Sequence, residues 1–195
     1  MTIRKICVYC GSSPGKNPAF SVAASSLAKA MCERGIGLVY GGAAVGVMGA
    51  LANAVLEAGG EAIGVIPRSL AIKEVAHANL TELHVVSSMH DRKAMMAELA
   101  DGFIALPGGW GTLEEIFEIL TWAQLGFHEK PCGLLNSEGY YDGLIEFLDN
   151  AIEQQFVREI CRPMLMTARK PVELLDRFAS YRAPRVRKWM AEDEL

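Results

Sequence analysis

Leu106-Pro-Gly-Gly-Trp-Gly-Thr-Leu-Glu-Glu-Ile-Phe-Glu118 joins two different apolar patterns. The run leading into it, Gly102–Leu106 (GFIAL), is continuously apolar, whereas Leu113, Ile116, Phe117 and Leu120 recur at helical spacing. That reads as buried strand, tight turn and helix start. At such a junction the first backbone N–H groups of the helix lack an internal acceptor. With the helix dipole they favour an anion, most often a phosphate. Two carboxylates, Glu114 and Glu115, follow within a turn of the helix. A phosphate cradle has no need of them, so they point to chemistry.

The same alternation extends in both directions. Strands are expected at Lys5–Tyr9, Gly37–Tyr40, Glu61–Ile66, Leu83–Val86, Cys132–Leu135 and Met164–Met166. Helices are expected from Asn17 (a cap, with Pro18 first) to Glu33, over Gly46–Leu56, from a Ser88 cap to Leu99, over Tyr140–Gln154 and over Pro171–Phe178. Arg68–Asn79 is the one long irregular stretch, and loops of that length in compact domains are commonly functional. Strands that are apolar runs, alternating with helices, predict an α/β fold. Its sheet is parallel and doubly wound, with helices on both faces. One domain, 1–182, is expected, followed by a solvated tail, 183–195, in which Arg185, Arg187 and Lys188 precede Glu192, Asp193 and Glu194.

Composition narrows the function classes. The 195 residues are 51% apolar and carry a net charge of −4, which argues against nucleic acid as a partner. No apolar run approaches the roughly 18 residues of a membrane span, and Ile6–Cys10 is too short for a signal peptide core. Five cysteines, an odd number lying within apolar runs, indicate reduced thiols and a cytoplasmic protein. Cys7 and Cys10 form a single CxxC along the first strand, without a second pair, so no metal site is expected.

Ligands of parallel sheets bind beyond the carboxyl ends of the strands, at the switch in strand order. Gly11, Gly41-Gly42 and Gly108-Gly109 all follow strands and so share that edge. Gly11, Ser12, Gly41 and Gly42 are therefore candidate phosphate or ribose contacts. Turn geometry and close packing explain Gly41, Gly42, Gly46 and Gly49 equally well. No Gly-Lys-Ser/Thr occurs, which excludes a Walker A loop. Gly109-Trp110-Gly111 begins a dinucleotide fingerprint, but Glu114 stands where the third glycine belongs.

On a helical wheel Glu114, Glu118 and Thr121 fall opposite the apolar stripe, with Glu115 between that face and the N-terminal edge. A second constellation, Met89-His90-Asp91-Arg92-Lys93, also follows a strand. Arg92 and Lys93 in a first helical turn oppose the dipole, a local conflict that a phosphate or carboxylate opposite them would resolve. His90 is an acid–base candidate or a structural residue.

PGGWGTLEE with MHDRK closely resembles the signature of the Lonely Guy family, PGGxGTxxE plus an Arg-Lys pair. These are cytokinin riboside 5′-monophosphate phosphoribohydrolases, long labelled lysine decarboxylases. The resemblance runs from the first strand to about Arg169, and Pro107, Gly108, Gly109, Gly111, Thr112 and Glu115 complete the motif. It implies a Rossmann-like fold, a homodimer, and no metal or organic cofactor. It implies Arg92 and Glu115 as the catalytic pair. Substrate contacts carried over are Glu74, Arg92, Lys93, Gly108, Gly109, Trp110, Gly111, Thr112, Leu113, Glu114 and Thr121. The implied reaction releases free base and ribose 5-phosphate from an adenine nucleoside 5′-monophosphate, prenylated or plain AMP. Decarboxylation needs an electron sink such as pyridoxal phosphate on a lysine, and no lysine here is marked for it. A non-catalytic nucleotide or cofactor carrier of the same fold is the alternative. Trp122, Leu125 and Phe127 are either core or dimer surface.

Overall fold

The computed structural model describes residues 2–71 and 76–185. Seven strands, β1 (Lys5–Tyr9), β2 (Gly37–Tyr40), β3 (Ala62–Pro67), β4 (Glu82–Val86), β5 (Gly102–Ala105), β6 (Cys132–Leu135) and β7 (Leu165–Ala168), form one sheet. Its order is β4-β3-β2-β1-β5-β6-β7, and every neighbouring pair is parallel. The crossovers carry α1 (Ala19–Cys32), α2 (Gly46–Glu57), the four-residue α3 (Arg68–Ala71), α4 (Met89–Leu99), α5 (Trp110–Leu125) and α6 (Asp142–Glu153), and α7 (Pro171–Ser180) follows the last strand.

Successive side chains of a strand point to opposite faces. Ile6, Val8, Leu38 and Tyr40 therefore pack with residues of α1, α2 and α7, while Cys7, Tyr9 and Val39 pack with residues of α4 and α5. Both faces are covered, which is why the strands read as unbroken apolar runs. Burying one aliphatic side chain contributes about 1.5–3 kcal/mol, so the central strands anchor the sheet. The chain winds outward from β1 towards β4 on one side and from β5 towards β7 on the other. The switch point thus lies between β1 and β5, held in register by pairs from Ile6↔Gly102 to Tyr9↔Ala105.

Two expectations change. The stretch 68–79 is not wholly irregular, because α3 opens it, Ala76 bridges Ala43, and the His77 N–H donates to Gly42 O at 3.0 Å. The helix expected from Tyr140 starts at Asp142. Asn136 Oδ1 accepts the Tyr141 N–H at 2.8 Å, and Ser137–Gly139 form a 3-10 turn with Glu138 and Gly139 at φ +54° and +70°. Of the expected tail, residues 186–195 lie outside the described residues. Among the described residues no helix is long and apolar enough to cross a membrane.

Candidate functional site

The turns after β1 and β5 meet at the switch point. The Gly11 N–H donates to Pro107 O at 3.2 Å, and a Cβ on Gly108 would stand 2.8 Å from Gly11 N and against Thr112 Oγ1. Only glycine permits that approach. Gly109 caps α5 without a side-chain hydrogen bond, and its carbonyl accepts the Leu113 N–H at 3.1 Å. A Cβ on Gly109 or Gly111 would meet nothing within 4 Å, so the start of α5 lies open. Thr112 is buried and Leu113 half-buried, whereas Trp110 is 91% exposed.

The most buried line of α5 is Thr112, Glu115, Ile116, Ile119 and Ala123. Relative to the stripe expected from sequence the helix is rotated, and Glu115 enters the core line. Its partner is Arg92 from α4, with Nη1 3.2 Å from Glu115 Oε1 and both residues 7% exposed. Arg92 Nε donates to Val65 O of β3 at 3.1 Å. Gly41 makes room for this guanidinium, since a Cβ there would collide with Nη2. Gly42, at φ +78°, turns the chain where a Cβ would press on Ile66 and Leu83 at 3.3 Å. Packing and turn geometry thus account for both glycines. A Cβ on Gly46 or Gly49 would likewise collide with backbone, that of Ser12 or Ala44 respectively. Ser12 itself is exposed beside Gly11, whose carbonyl accepts the Met48 N–H at 3.3 Å.

Burial pushes the Glu115 carboxyl up to about 7, against the opposing pull of Arg92; Glu114 and Glu118 add to the rise and Lys93 opposes it. The site therefore holds a carboxyl that changes charge near neutral pH beside a fixed cation. Such a group can align or deprotonate water.

Lys93 Nζ lies 2.5 Å from Glu114 Oε1 and 2.9 Å from Glu118 Oε1. Burial draws its pKa down, but the hydrogen bonds to Glu114 and Glu118 outweigh that and hold it above the ordinary lysine value. The basic pair that opposed the dipole of α4 is thus answered by three acids of α5. Thr121 stands apart, about 9 Å along the axis from Glu115. Its hydroxyl donates to Phe117 O at 2.7 Å, and it lines a cavity of about 190 Å³ with Phe117, Leu120 and Ile152. His90 is exposed. Trp122 is half-buried against the core under α5, while Phe127 is 37% exposed. Glu74 lies outside the described residues.

Two tyrosines escaped the sequence reading. The Tyr140 hydroxyl donates to Gly108 O and the Tyr141 hydroxyl to Leu106 O, each at 2.6 Å. Glu118, read only as one of the polar face, also belongs here through Lys93. No pattern in sequence marks the tyrosines, because their partners are backbone atoms more than thirty residues away. Among the described residues no group of three His, Cys, Asp or Glu is placed to hold a metal ion.

A family model described as "Possible lysine decarboxylase" matches residues 48–178. The cytokinin riboside 5′-monophosphate phosphoribohydrolase LOG of Oryza sativa subsp. japonica is 49% identical over 178 residues, 91% of this chain and 74% of that protein. An Arabidopsis thaliana protein of the same activity name is 47% identical over 178 residues, covering 91% and 82%. Among solved structures, a molybdenum cofactor binding protein from Rippkaea orientalis aligns with a TM-score of 0.68 at 24% identity, covering 92% of this chain and 98% of that one. The molybdenum cofactor carrier protein of Chlamydomonas reinhardtii gives 0.67 at 21%, covering 92% and 100%. At those identities the two structures speak for the fold alone.

Proposed function

This chain belongs to the Lonely Guy family, an enzyme family of N-glycosyl hydrolases, and on that premise we propose that it hydrolyses cytokinin riboside 5′-monophosphates. The observation that carries the proposal is the buried Arg92–Glu115 pair beside the open start of α5. The 5′-phosphate sits on N–H groups of Gly109–Thr112, so that a remote, non-reacting group fixes the ribose. Departure of the base builds positive charge on the ribose ring, as in other glycoside hydrolyses. Glu115, ionised, stabilises that charge and activates the attacking water. Water adds its oxygen to the anomeric carbon, the glycosidic bond breaks, and the base leaves with a proton. Arg92 holds substrate and orients Glu115; Lys93 and Glu114 are substrate ligands. Positioning and electrostatics supply what acid–base catalysis does not.

Plain AMP is included in the proposed substrate range, since nothing in the Arg92–Glu115 pair reads the N6 substituent. Incubation with AMP and isopentenyl-AMP separately, with free base and ribose 5-phosphate quantified by chromatography, tests the reading. Release of neither product from either nucleotide refutes it. A carrier would need the phosphate turn but not a carboxylate buried at the cost of its own ionisation. Intact co-purified ligand without turnover is the result that would favour the carrier.

A homodimer and a cytoplasmic location belong to the same reading. The first is supported by apolar surface around α6: Phe147, Phe156 and Ile160 are 63%, 87% and 47% exposed. Sedimentation equilibrium reads it directly. The second is supported by five free cysteines, four of them buried.

A further inference from the structure

Leu106, Pro107 and Gly108 present three successive carbonyls, and each has its own donor. These are the Tyr141 hydroxyl at 2.6 Å, the Gly11 N–H at 3.2 Å and the Tyr140 hydroxyl at 2.6 Å. A peptide group is planar and trans, so its C=O and N–H point in opposite directions. Holding Pro107 O therefore aims the Gly108 N–H, and holding Gly108 O aims the Gly109 N–H away from the phenol. Neither Gly108 nor Gly109 has a Cβ to resist rotation of the peptide they share. That peptide is the one in the turn most in need of an external restraint.

Tyr140 is built to supply it. Its ring stands edge-on to Phe20 at 5.4 Å and to Tyr141 at 5.0 Å, and its N–H donates to Ser137 O at 3.0 Å. Behind it the connection from β6 is tied down. Asn136, 5% exposed, accepts the Tyr141 N–H and donates to Asp142 Oδ1 at 2.6 Å. Yet the Tyr140 side chain is not core, for the residue is 45% exposed. Its hydroxyl meets the turn at the rim of the proposed site.

We propose that Tyr140 is a positioning residue whose hydroxyl locks the Gly108–Gly109 peptide so that the Gly109 N–H faces the substrate's 5′-phosphate. This rests on the reading of the α5 start as a phosphate anchor. Tyr140→Phe keeps both ring contacts and deletes only the donor. Tyr141→Phe is the matched control. It frees the Leu106 carbonyl, whose peptide nitrogen belongs to Pro107 and carries no hydrogen to aim.

The experiment is calorimetric titration of wild type and both variants with inorganic phosphate, AMP and adenosine, alongside thermal melts and the Gly109 amide resonance. Tyr140→Phe is expected to weaken phosphate and AMP about three- to tenfold, the span of one lost hydrogen bond, while adenosine changes by less than about twofold. The Gly109 amide shift that phosphate induces in wild type shrinks in that variant. Tyr141→Phe lowers the melting temperature but keeps the AMP-to-adenosine affinity ratio. Unchanged phosphate affinity in Tyr140→Phe, an equal loss for adenosine, or the same selective loss in Tyr141→Phe overturns the proposal. Wild-type binding of phosphate at Gly109 without turnover of any nucleotide would refute the hydrolase and leave Tyr140 standing. Absence of phosphate binding at Gly109 in wild type refutes the anchor and the role of Tyr140 together.

Discussion

α4 begins behind Ser88, whose hydroxyl accepts the Asp91 N–H at 3.0 Å, while the Ser87 hydroxyl donates to the Asp91 carboxylate. α5 begins at the same edge of the sheet behind Gly109, with no side-chain cap and no acid in its first turn. One helix start is closed by its own residues; the other is left for something else to close. Those hydrogen bonds from Ser87 and Ser88 hold the Asp91 carboxyl below its ordinary value, so an acid of its own serves the end of α4 at neutral pH. The acids of α5 are spent elsewhere, on Arg92 and Lys93. A capped helix that lends cations and an uncapped helix that lends carboxylates together make a site that neither start would make alone.

The sharpest way to break that comparison is to separate anchoring from chemistry within α5. Glu115→Gln is nearly isosteric, and it should lower the rate of base release by about 10²–10⁴-fold, the usual worth of acid–base catalysis. AMP affinity, measured by calorimetry, should stay within about threefold, because the N–H groups at the helix start are untouched. Full activity in the variant would remove Glu115 from the mechanism.

A graded version uses pH. Charged and titratable groups around Glu115 are Arg92 and Lys93 from α4, Glu114 and Glu118 from α5, Cys7 and Tyr9 from β1, and Cys10 just after that strand. With its carboxyl raised to about 7, Glu115 is neutral below that pH and anionic above it. Activity that needs the anion is therefore lost as pH falls. The value of kcat/KM should drop about tenfold per unit below the midpoint and level off above it. A flat profile from pH 5 to 8 in wild type would contradict an ionised Glu115.

How much of this was legible before folding differs between the two starts. Ser88 with Asp91 is a local device, three residues apart, and its cap geometry appears as the sequence spacing implies. The seven parallel strands were equally visible, since apolar runs between glycine turns carry their own meaning. Glu115 was visible as a surplus acid but not as a buried one. Its wheel position depends on which side of α5 lies on the sheet, and Ile119 and Ala123, below it, complete that line. Gly41 illustrates the remaining gap. Its reason is the Arg92 guanidinium, 51 residues on, and no turn rule refers to that. Tyr140 is the same case, a side chain serving a carbonyl thirty-two residues earlier.

Giving α5 a side-chain cap, as α4 has at its start, sharpens the contrast. Gly109→Asp places a capping carboxylate where a Cβ meets nothing within 4 Å. Glycine is already a tolerable cap, so the helix should gain only a few tenths of a kcal/mol. The new anion competes with phosphate for the same N–H groups, and AMP affinity should fall roughly tenfold. Unchanged AMP affinity would mean the phosphate sits elsewhere.

Ser88→Ala is the reverse operation and the smallest effect. It opens the start of α4, costing about 1 kcal/mol, which in a domain of this size lowers the melting temperature by about 2–4 °C. Asp91 still follows in the first turn, but with the Ser88 hydroxyl gone its own N–H becomes one of the unsatisfied donors. No phosphate should be drawn there, because Asp91 keeps its charge at the exposed end and repels a second anion. Calorimetry with inorganic phosphate should therefore give the same single-site isotherm as wild type. A second phosphate site would show that an open helix start on this edge is enough to bind the anion. The close glycine approach at the start of α5 would then be dispensable for anchoring.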